Sequence, residues 1–273
     1  MVEHLLAIDD VADDFEKIIR WAIEFKRAWK NEDDVAHNFF PLDTLAIGSI
    51  YEKPSTRTRV SFEVGINRLG GYPLTLLKND IQLGKSETIA DTANVLSRFL
   101  GGITYRCFAH ADVAELAKNS DVPVINALSD KHHPCQAAAD LMTIIENFDD
   151  TEDLKVCWVG DGNNVLHDLM LACAMLGIDI HYAVPKGYEP DEDVVQRTKD
   201  LAEKNGSKVV ETNDPVEAVT DAHVVYSDVF ISMGEEDMKG KASDFDGFQI
   251  NEELVSHMDE NWKFMHCLPA HRG

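Results

Sequence analysis

Two hydroxyl residues, an arginine, a threonine and a second arginine run consecutively at Ser55-Thr56-Arg57-Thr58-Arg59, directly after Pro54. An apolar, strand-like run, Leu45–Tyr51, precedes them and a helical pattern, Val60–Leu69, follows. Hydroxyls, backbone N–H groups and two guanidiniums converging where a helix dipole is positive make a site for phosphate or carboxylate. A Ser/Thr helix cap with surface arginines explains one hydroxyl but not the whole cluster. The GxxxxGK[ST] loop of nucleotide hydrolases is absent, so the expected anion is a small phosphorylated ligand rather than ATP.

Three further segments hold reactive side chains. In His133-Pro134-Cys135-Gln136 a loop enters a helix; proline fixes the entry, and the flanking His and Gln can reach one small ligand. A histidine there also reads as a cap or surface residue. Asp228, followed by Val229-Phe230-Ile231-Ser232-Met233-Gly234, closes a strand, where a carboxylate can hold an ammonium group or cap a helix. In His266-Cys267-Leu268-Pro269 the cysteine at a strand end is either a site residue or inert packing.

The elements that must position these groups alternate. An amphipathic helix is expected over Asp13–Lys30. Strands are expected at Leu45–Tyr51, Tyr72–Leu77, Gly102–Cys107 and Val124–Ala127, with helices at Val60–Leu69, Thr88–Phe99, Asp112–Lys118 and from His133-Pro134 to Phe148. Past the acidic Asp149–Asp153 patch a second series begins. Its strands are Lys155–Val159, Ile178–Val184, Lys208–Thr212, His223–Ser227 and Lys263–His266; its helices are Val165–Leu176, Val194–Asn205 and Pro215–Thr220. Such alternation implies an α/β fold: two domains, each with a mostly parallel sheet flanked by helices. Ligands then belong at the carboxyl ends of strands, where all four segments fall.

Composition narrows the classes. The chain has 273 residues, 44% hydrophobic and 27% charged, and its 25 basic against 49 acidic residues give a net charge of -24. Nucleic acid and anionic membranes are repelled by such a surface. The acids are spread along the chain, which fits either a well-solvated surface or adaptation to high salt. No apolar run approaches the roughly 20 residues of a membrane span. The five cysteines form no CxxC pair, which argues against a disulfide framework or structural zinc and for a reducing, cytoplasmic setting. Gly160-Asp161-Gly162 after a strand invites a dinucleotide reading, but Val165 stands at the third glycine and no acidic residue directly follows the next strand.

In this order the four segments resemble the transcarbamylases, and within that family the ornithine-using branch, which D-x-x-x-S-M-G and H-C-L-P mark off from its aspartate-using relative. Asp80-Ile81-Gln82-Leu83-Gly84-Lys85, Glu87, Asp91-Thr92, Tyr105-Arg106 and Gly160-Asp161-Gly162-Asn163-Asn164 match as well, from the opening helix to the last residue. The resemblance implies transfer of a carbamoyl group from carbamoyl phosphate to the side-chain amine of ornithine, with no cofactor and no metal. It assigns carbamoyl phosphate to Ser55, Thr56, Arg57, Thr58, Gln82, Arg106, His133, Pro134, Cys135, Gln136, Cys267 and Leu268. Ornithine falls to Asn164, Asp228, Ser232 and Met233, and the chemistry to Arg57, Arg106, His133, Asp228 and Cys267.

It further implies a homotrimer, or a multiple of one, in which the loop carrying Gln82 reaches a neighbour's site. The domains would be 1–135 for carbamoyl phosphate, 136–152 as connecting helix and hinge, and 153–273 for ornithine. The family continues with a C-terminal helix that brings another arginine; this sequence stops at Gly273, and Arg272 is not assumed to replace it. Putrescine or N-acetylornithine as acceptor stays open at this stage. A nicotinamide-dependent dehydrogenase and a non-catalytic binding protein are the alternatives from other classes.

Overall fold

A computed structural model of the chain describes residues 2–148, 151–230 and 241–270. All nine expected strands are found, each within one residue at either end, and every pairing between them is parallel. Parallel neighbours cannot be joined by a tight hairpin, so each connection crosses over, mostly through a helix. The α/β class with two mostly parallel sheets is the observed one.

The first unit, Met1–Cys135, holds β1 (Ala46–Tyr51), β2 (Tyr72–Leu77), β3 (Gly102–Arg106) and β4 (Val124–Leu128) in the order β2-β1-β3-β4. Its helices are α1 (Phe15–Lys30), α2 (Asp34–His37), α3 (Arg57–Arg68), α4 (Ile89–Leu96) and α5 (His110–Lys118). Ile50, Ile103, Tyr105, Val113, Leu116 and Val124 build one core between sheet and helices. The central strand β3 is buried throughout, whereas the edge strand β2 exposes both ends.

The second unit, Gln136–Gly273, takes most of α6 (Pro134–Phe148) and adds β5 (Lys155–Val159), α7 (Asn164–Met175), β6 (Asp179–Ala183), α8 (Glu192–Asn205), β7 (Val209–Thr212), α9 (Pro215–Val219), β8 (Val224–Ser227), α10 (Lys241–Asp244), α11 (Glu252–Val255) and β9 (Lys263–His266). The sheet order is β7-β6-β5-β8-β9. Val165 to Ala174 of α7 are all buried. Local chemistry sets the boundaries: Asn163 caps α7 through its side chain, Asp214 caps α9 ahead of Pro215, and Gly206 closes α8 in a left-handed conformation.

Several helix boundaries differ from expectation. Helix α3 starts at Arg57 rather than Val60, so its first turn is polar; α5 starts at His110 rather than Asp112, α8 at Glu192 rather than Val194 and α1 at Phe15 rather than Asp13, and α4 ends at Leu96 rather than Phe99. The single-turn helices α2, α10 and α11 are too short to leave a periodic pattern.

Each sheet has one point where strand order reverses. In the first it lies between β1 and β3, whose following strands β2 and β4 go to opposite sides. In the second it lies between β5 and β8. The crevice beyond the carboxyl ends of such strands is where open α/β sheets bind ligands.

Candidate active site

The reversal point of the first sheet is occupied by the Ser55–Arg59 run and Arg106. Tyr51 and Arg106 are register partners at the ends of β1 and β3, and Glu52 N–H donates to the Arg106 carbonyl at 2.9 Å. Thr56 stands at the cap position of α3 but makes no side-chain cap hydrogen bond, so the simple capping reading does not account for the segment. Arg106 is 7% exposed, donates to Thr58 Oγ1 at 3.5 Å, and its Nε has no partner among the described residues. Burial and then the Arg57 charge lower its pKa, the reverse of what a paired carboxylate would do.

Arg59 departs from expectation. Its Nε donates to Glu63 Oε1 at 2.9 Å one turn on, and Thr75 Oγ1 donates to the same oxygen.

His133 is buried, and burial followed by the Arg106 charge pushes its pKa down to about 3. It is therefore neutral at physiological pH and offers one ring N–H. The loop that carries it is held by Asn126, whose Nδ2 donates to the His132 carbonyl at 3.2 Å and the Leu6 carbonyl at 2.8 Å. Ser129 Oγ accepts His132 N–H at 3.1 Å. Pro134 and Cys135 open α6, with Cys135 Sγ 3.6 Å from the Asn126 carbonyl. Gln82 lies exposed in a turn closed by Lys85 N–H on its carbonyl.

Two positioning groups escaped the sequence reading. Glu52 takes Lys78 Nζ at 2.9 Å and Phe108 N–H at 3.0 Å, tying together the loops after β1, β2 and β3. Asn126 is a polar residue inside the apolar run Val124–Leu128, and that interruption was the available signal.

At the reversal point of the second sheet, Asp228 follows β8 and Cys267 follows β9. Cys267 Sγ donates to Asp228 Oδ1 at 3.0 Å, Asn163 Nδ2 donates to Oδ2 at 3.0 Å, and Val229 N–H donates to Oδ1 at 2.8 Å. Burial and then the Asp228 charge push the Cys267 pKa up, so the thiol stays protonated and acts as a donor, not a nucleophile. Asn164 begins α7, but the neighbouring Asn163 is the residue bonded to Asp228. Leu268 adopts a positive φ of 59°. Asp228, His266 and Cys267 bring a carboxylate, a ring nitrogen and a sulfur within 4.8 Å of one another; His266 Nδ1 already accepts Leu268 N–H at 2.9 Å. Ser232 and Met233 lie outside the described residues.

Gly162 removes the dinucleotide reading. A Cβ there would collide with the backbone of Tyr188 to Pro190, so the glycine is demanded by the chain's own close packing.

The profile described as "Aspartate/ornithine carbamoyltransferase, carbamoyl-P binding domain" matches residues 3–146, and "Aspartate/ornithine carbamoyltransferase, Asp/Orn binding domain" matches residues 152–273. The chain belongs to the aspartate/ornithine carbamoyltransferase family. It is 48% identical over 270 residues to a catabolic ornithine carbamoyltransferase of Thermoplasma volcanium, covering 98% of this chain and 87% of that protein. An ornithine carbamoyltransferase of Anoxybacillus flavithermus is 47% identical over 272 residues, covering 99% and 85%. The solved ornithine carbamoyltransferase of Pyrococcus furiosus superposes with a TM-score of 0.94 at 47% identity, covering 99% of this chain and 86% of that one. The match to the carbamoyl-P binding domain runs through α6 as far as residue 146, whereas packing assigns α6 from Gln136 onward to the second unit.

Proposed function

We propose that the chain transfers the carbamoyl group of carbamoyl phosphate to the side-chain amine of L-ornithine, giving L-citrulline and phosphate. The observation that carries this reading is Arg106, buried beside Arg57 and bonded to Thr58 at the reversal point of the first sheet. Two adjacent cations, one removed from water, favour a doubly charged anion in that place.

Residues 1–135 take carbamoyl phosphate. Ser55, Thr56, Arg57 and Thr58 cradle the phosphate at the amino end of α3; Arg106, His133 and Gln136 address the carbamoyl end. Residues 153–273 take ornithine through Asn164, Asp228, Ser232 and Met233, with 136–152 as the connection. The Asn163 contact suits Asp228 to this task, since it fixes the carboxylate's orientation. Cys267 and Leu268 lie beside the reacting carbon.

A free alkyl amine has a pKa of about 10.4, so binding must select the neutral form. Its nitrogen attacks the carbamoyl carbon, the C–N bond forms, the C–O bond to phosphate breaks, and the departing phosphate accepts the amine proton. Negative charge develops on the carbonyl oxygen. Arg106, neutral His133 and Thr58 donate to it, each such donor being worth about 3 kcal/mol at the transition state. Asp228 and Cys267 position the amine.

We also propose a homotrimer or a multiple of one, with Gln82 reaching a neighbour. Val60, Val64, Leu77, Val95 and Phe99 are exposed on the first unit, more apolar surface than a lone protomer needs to show. Light scattering on the purified chain decides this; a monodisperse monomer refutes it. Among the described residues no helix is long and apolar enough to cross a membrane, and cytoplasmic location is part of the same proposal.

The function is tested by a citrulline assay with ornithine, putrescine, N-acetylornithine and aspartate in competition, at low and molar salt. Ornithine should dominate. Carbamoylation of another amine in preference to ornithine refutes the acceptor assignment.

A further inference from the structure

Gln136 and Asp140 lie one turn apart on α6, and their side chains meet: Gln136 Nε2 donates to Asp140 Oδ1 at 3.0 Å. The Tyr226 hydroxyl, from β8, donates to the same oxygen at 3.2 Å. Asp140 is 4% exposed, and its Oδ2 has no hydrogen-bond partner among the described residues. Tyr226 is itself fully buried and packs on Trp158 with ring centroids 5.2 Å apart, so the acceptor oxygen is held from a rigid strand.

This arrangement is poor for stability. Burial, and after it the charge of Asp228, push the Asp140 pKa up to about 7 against the pull of its two donors. An apolar side chain of similar volume would fill the space without desolvating a carboxylate. A buried polar group so placed, in contact with a residue read as a substrate contact, points to a task at that contact.

The task follows from the shape of an amide. Gln136 has a donor on one side of its terminal plane and an acceptor on the other. With Nε2 turned toward Asp140, the opposite side of the amide presents Oε1. Carbamoyl phosphate ends in an NH2 group, which donates and does not accept. We propose that Asp140 is a positioning residue that fixes the Gln136 amide so that its carbonyl oxygen receives the carbamoyl NH2, with Tyr226 fixing Asp140 in turn. The proposal rests on Gln136 being a carbamoyl contact. Without Asp140 the amide turns over freely and presents NH2 to NH2.

The test uses the full chain and two probes: phosphonoacetamide, an unreactive compound with a phosphonate and a primary amide, and inorganic phosphate, which lacks the amide. Titration calorimetry with Asp140→Ala should show phosphonoacetamide bound about tenfold more weakly, about 1.4 kcal/mol, and phosphate within twofold of wild type. Asp140→Asn, whose carbonyl oxygen still accepts from Gln136, should recover most of the affinity. Gln136→Ala combined with Asp140→Ala should bind phosphonoacetamide no worse than Gln136→Ala alone. Should the alanine variant fail to fold, Asp140→Leu fills the volume and should show the same selective loss. Additive losses in the double variant, equal loss of phosphate, or unchanged phosphonoacetamide binding overturns the proposal. Wild type that makes no citrulline and binds neither probe overturns the functional reading itself.

Discussion

His133 offers the clearest quantitative test. Its pKa is held at about 3, first by burial and then by the Arg106 charge, against about 6.5 in an unfolded chain. A depressed folded pKa means that the fold favours the neutral ring. The stabilisation is complete above pH 6.5 and is lost as pH falls toward 3, reaching roughly 5 kcal/mol at its full extent. At pH 4.5, two units below the unfolded value, the loss is about 3 kcal/mol. His133→Gln keeps a donor and does not titrate. Measured by urea unfolding at pH 7.5 and pH 4.5, the stability of the variant relative to wild type should therefore improve by about 3 kcal/mol at the lower pH. The ring C–H resonances of wild-type His133 should stay fixed from pH 8 down to about pH 4.5. The same burial makes His133 a neutral donor during turnover, so it should contribute no inflection to kcat between pH 5 and 8. A stability difference identical at both pH values, or a resonance titrating near 6.5, would sink this reasoning and with it the neutral-donor role.

Arg57→Ala should lower kcat/KM for carbamoyl phosphate by 100-fold or more, about 2.7 kcal/mol; near-normal kinetics would remove the phosphate assignment. Cys267→Ala should cost much less than Arg57→Ala, because the protonated thiol only donates to Asp228; for the same reason wild-type Cys267 should react slowly with iodoacetamide at pH 8, and rapid alkylation would contradict the raised pKa. Gly162→Ala should destabilise the second unit, since its Cβ meets backbone at Tyr188 to Pro190 rather than a movable side chain; an unchanged melting temperature would show that the segment can yield.

The strands were readable because each is an apolar run bounded by polar loops, and a period of 2 or a continuous apolar stretch has few other interpretations. The start of α3 was less so. The apolar pattern begins at Val60, but the first turn carries Arg57, Thr58 and Arg59, polar residues that a core does not select. A search for hydrophobic periodicity passes over a turn whose contacts are polar. The pairing of Arg59 with Glu63 was open to a spacing argument, four residues on one helix face. Choosing Asn163 over Asn164 as the Asp228 contact was not, because adjacent identical residues are told apart only by which one sits at the cap. Asp140 was hidden for a different reason: an acid inside an amphipathic helix looks like its solvated face until the strand packed over it is known.

Each unit carries an electrostatic burden that the described residues relieve only in part. In the first, Arg106 is buried with Arg57 near it, and its pKa falls. In the second, Asp140 is buried with Asp228 near it, and its pKa rises. Both shifts have burial as the first cause and a like charge as a further one. A fold selected for stability alone would separate such groups or pair them with opposite charges. Like charges kept together, Arg106 with Arg57 and Asp140 with Asp228, suit a compensating ligand charge, an anion in the first case and a cation in the second. Binding then draws on strain already present in the free protein, and the interaction is strongest when water has been displaced. Neither burden depends on the details of the reaction, so binding of phosphate alone should raise the melting temperature of the first unit, and an amino acid with a free side-chain ammonium that of the second. Stabilisation that vanishes in Arg106→Met but persists in a surface-charge control such as Lys17→Met would place the effect at the buried guanidinium; equal stabilisation in both variants would reduce it to a general response to salt.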